Sequence, residues 1–171
     1  MIKLAGLFGI VISFGLAGVG MSEELRERIR LLEEMQNLIA QLKGHMNYFR
    51  DPMYQIFQTI EKKGNSRAFL LPGRVLLKIK EKSGEMDVIW AETVKEIYED
   101  TPLTDEDRKI LIYMGTYLGQ SDYENQLMQF QCTEERLNLQ LNQARESYSK
   151  KGAMYRKAGF LAGALAAVIL L

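Results

Sequence analysis

Few residues in this chain are of the types that do chemistry, and none is spaced for it. His45 is the single histidine and lies within one turn of an apolar stripe, the place of a structural histidine whose ring nitrogens are satisfied. Cys132 is the single cysteine, so the chain has no internal disulfide and no cysteine-based metal cluster. No base neighbours Cys132 in sequence to activate its thiol. Asp105, Glu106 and Asp107 form an acidic cluster of metal-ligand character. They follow Thr104, however, and fill the first turn of a helix, where a side-chain cap and the helix dipole account for all three. The chain has no phosphate-cradling G-x-x-x-x-G-K and no G-x-G-x-x-G after a strand. Trp90 reads as a core anchor on its helix. The expectation is a protein with no catalytic residue, metal or cofactor, and not an enzyme.

The distribution of charge is more telling than any motif. Leu4 to Met21 is an 18-residue run without a charge, and Ala158 to Leu171 is a 14-residue run. All 22 acidic residues and 21 of the 22 basic ones lie between them. Apolar runs of this kind seek lipid or a partner. As a helix the first would extend roughly 27 Å and the second about 21 Å, or about 27 Å if it starts at Met154 with Arg156 and Lys157 snorkelling. Ala17-Gly18-Val19 is a poor cleavage site, which favours a retained anchor over a signal peptide. The expected domains are therefore an N-terminal membrane segment over 1–21, a cytoplasmic helical domain over 22–157, and a C-terminal membrane segment over 158–171. Arg26, Arg28, Arg30, Lys150, Lys151, Arg156 and Lys157 flank the runs on the inner side, against Lys3 on the other. That asymmetry puts the middle domain in the cytoplasm.

The middle carries 21 basic and 22 acidic side chains, a net of −1, which excludes a general nucleic-acid binder. Three prolines and sparse β-branched residues favour helix. Leu25, Ile29, Leu32, Met35, Ile39, Leu42, Met46 and Phe49 predict a first helix over Glu23–Arg50. Asp51 as cap and Pro52 at the first helical position open a second, closed by Gly64-Asn65. A third is expected over Arg74–Glu81, after Leu71-Pro72-Gly73, and a fourth over Met86–Ile97. A fifth runs from the Thr104 cap to about Leu118. Ser121-Asp122-Tyr123-Glu124 is a capping box opening a sixth. In that helix Tyr123, Leu127, Phe130, Leu137, Leu141, Ala144 and Tyr148 form a seam, with Glu134 at one seam position. The fold class is all-α: a bundle of about six helices whose long first and last members pair antiparallel and run into the two membrane segments.

Two kinds of contact surface follow. Asp105, Glu106, Asp107 and Asp122 sit at or near two helix starts and form an acidic tip suited to a basic partner. Ala5, Gly9, Ser13 and Ala17, and Gly159, Gly163 and Ala167, are small residues at four-residue spacing. Such stripes let helices approach closely in a membrane, against each other or against copies of themselves in a homo-oligomer.

Taken together, Leu103-Thr104, Gly115-x-x-Leu118-Gly119-x-x-Asp122, the Trp90 helix, Ala158-Gly159-Phe160-Leu161-Ala162-Gly163 and Lys3-Leu4-x-Gly6 resemble the stage III sporulation protein AB family over the whole chain. The segment Arg50-Asp51-Pro52-Met53 leading into Tyr54-x-x-Phe57 is more polar and aromatic than that pattern. The resemblance implies a helical domain like the cytoplasmic domains of type II secretion and type IV pilus platform proteins. It further implies a subunit in the mother-cell membrane facing the forespore, beside a secretion-type ATPase and ring-forming channel subunits, with ATP hydrolysis left to the ATPase. The alternatives are a platform component of another secretion or pilus system, which usually carries two such domains, and a membrane-bound enzyme, opposed by the missing constellations.

Overall fold

A computed structural model describes residues 2–49, 52–62, 64, 66–81, 84–118 and 123–169, with backbone alone for 2–5, 7, 8, 10, 48 and 49. Every regular element among these residues is helical: α1 (Ile2–Phe49), α2 (Met53–Glu61), α3 (Arg67–Glu81), α4 (Met86–Tyr98), α5 (Asp105–Gly115), α6 (Tyr123–Ser147) and α7 (Ala153–Ile169). A π-helical turn, Tyr148–Gly152, joins α6 to α7. The chain divides into two units, Arg30–Leu141 and the combination of Met1–Ile29 with Asn142–Leu171.

In the Arg30–Leu141 unit, α1 presents Leu31, Leu32, Met35, Leu38, Ile39 and Leu42 with no exposure at all. These cover an arc of about 120° on a 3.6-residue helix. Leu31 and Leu38 widen the stripe expected from sequence. α6 lies antiparallel to this stretch: Gln36 Nε2 donates to Asn138 Oδ1 at 2.6 Å, Lys43 Nζ to Glu134 Oε2 at 2.6 Å, and Tyr123 OH to Asn47 Oδ1 at 3.1 Å. The acid at the seam position is thus held by a lysine from the facing helix. Phe130, Leu137 and Leu141 are buried along the same seam.

Helices α2 to α5 close the core. Phe57 and Trp90 stack with ring centroids 5.9 Å apart. Lys78 reaches from α3 to Glu96 of α4 at 2.6 Å.

Three boundaries differ from the sequence expectation. Pro72 does not precede α3 but lies inside it, six positions into a helix that begins at Arg67. Its ring removes one backbone donor, yet Ala68, Leu71, Val75 and Leu76 bury around it, and packing on both sides outweighs that loss. α5 ends at Gly115, and Thr116, Tyr117 and Leu118 continue as tighter turns bonded to Tyr113, Met114 and Gly115. Pro52 occupies the N-cap of α2, its carbonyl accepting from Gln55 and Ile56. The expected cap Asp51 and the capping box at Ser121-Asp122 lie outside the described residues.

In the second unit α1 continues without a break, so no separate helix starts at Glu23. Here it packs against the end of α6, the π turn and α7. Ser22 and Gly152 are both buried, with the Ser22 hydroxyl 3.4 Å from where a Cβ on Gly152 would lie. Among the described residues no helix is long and apolar enough to cross a membrane. The expectation of terminal membrane segments over 1–21 and 158–171 is therefore unsupported there. α7 has 17 residues and includes Arg156 and Lys157. Part of the first run contributes backbone alone.

Candidate functional site

The acidic start of α5 resolves into three different environments. Thr104 caps the helix, its Oγ1 accepting from Asp107 N at 3.2 Å while Asp107 Oδ2 accepts from Thr104 N at 2.8 Å. Asp107 is fully buried in this reciprocal box and offers no surface to a partner. Asp105 is exposed and receives Arg108 Nη2 at 2.7 Å, and that hydrogen bond and charge hold its carboxyl below the usual carboxylate range. Glu106 is exposed on the same turn. Asp122, the fourth residue of the expected tip, lies outside the described residues.

Beside Glu106 a cleft of about 340 Å³ runs between α5 and α6, lined by Lys109, Ile112, Tyr113 and Arg136. The Arg136 guanidinium lies 5.2 Å from the Tyr113 ring centroid, and the Tyr113 and Tyr117 hydroxyls meet at 2.7 Å. Sequence reasoning missed this cluster. The four-residue step from Tyr113 to Tyr117 was the available signal, but nothing in sequence brings Arg136 across from α6.

The small residues occupy two faces of α1. On one face the backbones nearly touch α7. A Cβ on Gly159 would fall 2.6 Å from Phe14 O, one on Gly163 would fall 2.9 Å from Val11 Cα, and one on Gly18 would fall 2.5 Å from Tyr155 O. Gly18 was not among the expected packing residues; it is one position from Ala17 and turned about 100° from it. The other face carries Gly6, Gly9, Ser13, Ala17 and Gly20, all exposed. Among the described residues no atom lies within 4 Å of a Cβ built at Gly6, Gly9 or Gly20, and the Ser13 hydroxyl donates back to Gly9 O at 2.8 Å. Gly159 and Gly163 therefore meet α1, while Gly9 and Ser13 point away from that contact. The Ala5 side chain lies outside the described residues.

His45 is half-buried on α1, and Cys132 is exposed on α6. Among the described residues no group of three or more His, Cys, Asp or Glu side chains is placed to hold a metal ion.

Comparison with known proteins places this geometry. Residues 3–171 match the family model for stage III sporulation protein AB. Stage III sporulation protein AB of Bacillus subtilis (strain 168) is 23% identical over 171 residues, which is 100% of either chain. A solved structure of stage III sporulation protein AB (SpoIIIAB) superposes with a TM-score of 0.64 at 18% identity, covering 72% of this chain and 97% of that one. That likeness is one of fold.

Proposed function

Because the chain belongs to the stage III sporulation protein AB family, and is on that ground a sporulation protein, we propose that it is a non-enzymatic platform subunit of a membrane complex linking mother cell and forespore. In this reading it couples a cytoplasmic secretion-type ATPase to ring-forming channel subunits, and the ATPase does the hydrolysis. The subunit sits in the mother-cell membrane with its Arg30–Leu141 unit in the cytoplasm.

The observation that carries the membrane part is the exterior of the unit formed by α1 and α7. Ile12, Leu16, Phe160, Leu161, Leu165, Val168 and Ile169 are all exposed there, Ile169 to 82%. An aqueous surface has no use for such a band. Helices satisfy their backbone polar groups within themselves, so a helical pair can present such a band to lipid. The basic residues Arg26, Arg28, Lys150, Lys151, Arg156 and Lys157 adjoin this band in sequence. The outward small-residue face of α1 suits a further helix, from a channel subunit or a second copy.

Native pull-down of the tagged full-length chain from sporulating cells tests the reading. The expected result is recovery from the membrane fraction with an ATPase and channel subunits. A chain that fractionates as soluble and brings down neither would overturn it. Glu106→Lys, which spares the capping box, then asks whether the acidic turn contributes. Salt-sensitive loss of a partner marks it as a contact, and unchanged recovery removes it from the interface.

A further inference from the structure

We propose that the cleft between α5 and α6 is a docking site for an acidic segment of a partner protein, with Arg136 receiving a carboxylate of that segment. Such a contact is independent of whether the unit formed by α1 and α7 enters a membrane.

Arg136 reaches the cleft from α6 and lies over the Tyr113 ring of α5, 5.2 Å from its centroid. That contact occupies the face of the guanidinium, whereas its N–H donors lie in its plane. Among the described residues Arg136 makes no ion pair or hydrogen bond. It is a cation held in place by a ring, with its donors still available. The ring itself is held in turn. Tyr113 meets Tyr117 edge to face with centroids 5.3 Å apart, and their hydroxyls bond at 2.7 Å. Tyr113 nonetheless remains 44% exposed. Tyrosine and arginine are the types on which protein interfaces concentrate binding energy, and fixed side chains have little freedom left to lose.

The order of charges along α5 selects the partner. Glu106, Lys109, Tyr113 and Thr116 line the cleft at successive turns. Tyr113 lies seven positions after Glu106, about 10 Å along the helix, with Lys109 in the interval. The end of the cleft at Tyr113 is consequently basic, and Glu106 does not neutralise it. A planar guanidinium matches a carboxylate in two parallel hydrogen bonds. Ile112 and the Tyr113 ring give the stem of that side chain an apolar wall. A basic segment would instead bring like charge against Arg136 and Lys109. The volume of about 340 Å³ admits projecting side chains and excludes a folded domain.

The experiment uses the full-length chain in sporulating cells, with a photo-crosslinking phenylalanine analogue at position 116, an exposed residue of the cleft. The expected product joins this position to a partner-protein peptide that contains Asp or Glu. The same analogue at position 131, exposed on α6 and turned about 140° from Arg136, should not capture that peptide. Arg136→Gln should lower the yield about tenfold, the loss expected at a hot-spot arginine, and Lys109→Gln should lower it less. Arg136→Glu should abolish capture, and changing the captured Asp or Glu to Arg should restore it. That restoration separates a lost contact from a lost fold. A yield indifferent to Arg136→Gln, a captured peptide without a carboxylate, capture of lipid or of a second copy alone, or no restoration by the charge swap would overturn the proposal.

Discussion

Trp90 closes over Gly115. A Cβ on Gly115 would fall 2.1 Å from Trp90 Cδ1, and the indole Nε1 donates to Leu111 O at 2.7 Å one turn earlier on the same helix. The ring is held by that hydrogen bond and packs against Phe57, so it cannot readily retreat from a larger neighbour.

Gly115→Ala is therefore expected to destabilise the fold, although alanine is ordinarily the better helix former by about 1 kcal/mol. Overpacking at a fixed ring costs typically 1–3 kcal/mol, and the net should appear as a lowered urea midpoint followed by Trp90 fluorescence. An unchanged or raised midpoint would show that α4 and α5 can separate freely.

The Lys43–Glu134 pair spans the seam between α1 and α6, with side-chain exposures of 35% and 26%. Half-covered pairs of this kind contribute on the order of 1 kcal/mol after screening. Lys43→Met should cost about that much or somewhat more, since it strands a seam carboxylate, and adding Glu134→Leu should restore most of the loss. A double variant weaker than Lys43→Met alone would mean the pair itself stabilises the seam.

Acid should weaken the fold in a shallow, salt-sensitive way. Lys78, by hydrogen bond and then charge, holds Glu96 below the usual carboxylate range, and Arg108 does the same for Asp105. A depressed folded-state pKa gives stability that is present above the unfolded value, near 4, and is lost as pH falls through the lower folded value. Lys78→Met and Arg108→Met should flatten the fall in stability below about pH 4. The same slope in wild type and variants, measured by urea midpoints, would assign the acid sensitivity to other groups.

The two faces of α1 should separate stability from assembly. Gly163→Ile collides with α1 backbone and is expected to loosen the α1–α7 pair, read as faster protease cleavage in micelles. Gly9→Ile meets open space and should leave that pair intact while reducing co-purification of a helix partner, by an association worth about 1–2 kcal/mol in model systems. Equal effects of the two substitutions on cleavage would show that Gly9 also packs within the chain.

The helix count and the antiparallel first and last helices were readable because period and caps are local signals. Thr104 and Asp107 identify themselves as a cap within four residues. Pro72 misled because its local cost is large and the compensating burial of Leu71 and Leu76 depends on other helices. The same limit applied to Arg136 over Tyr113, and to Gly18 replacing Ala17 at the α7 contact. Both depend on the rotation of one helix against another, which spacing along a single strand of sequence does not encode.

The π turn at Tyr148–Gly152 sets the phase of everything after it. Ala144 and Gly163 are both buried, yet the 19-position step from one to the other would leave them about 100° apart around an uninterrupted α-helix. The wider turn absorbs one residue's worth of rotation and brings the glycines back into line. The length of this turn thus acts as a rotary setting. Gaining or losing one residue there would swing α7 by about 100°, retiring Gly159 and Gly163 from the contact and presenting a different set of side chains to α1.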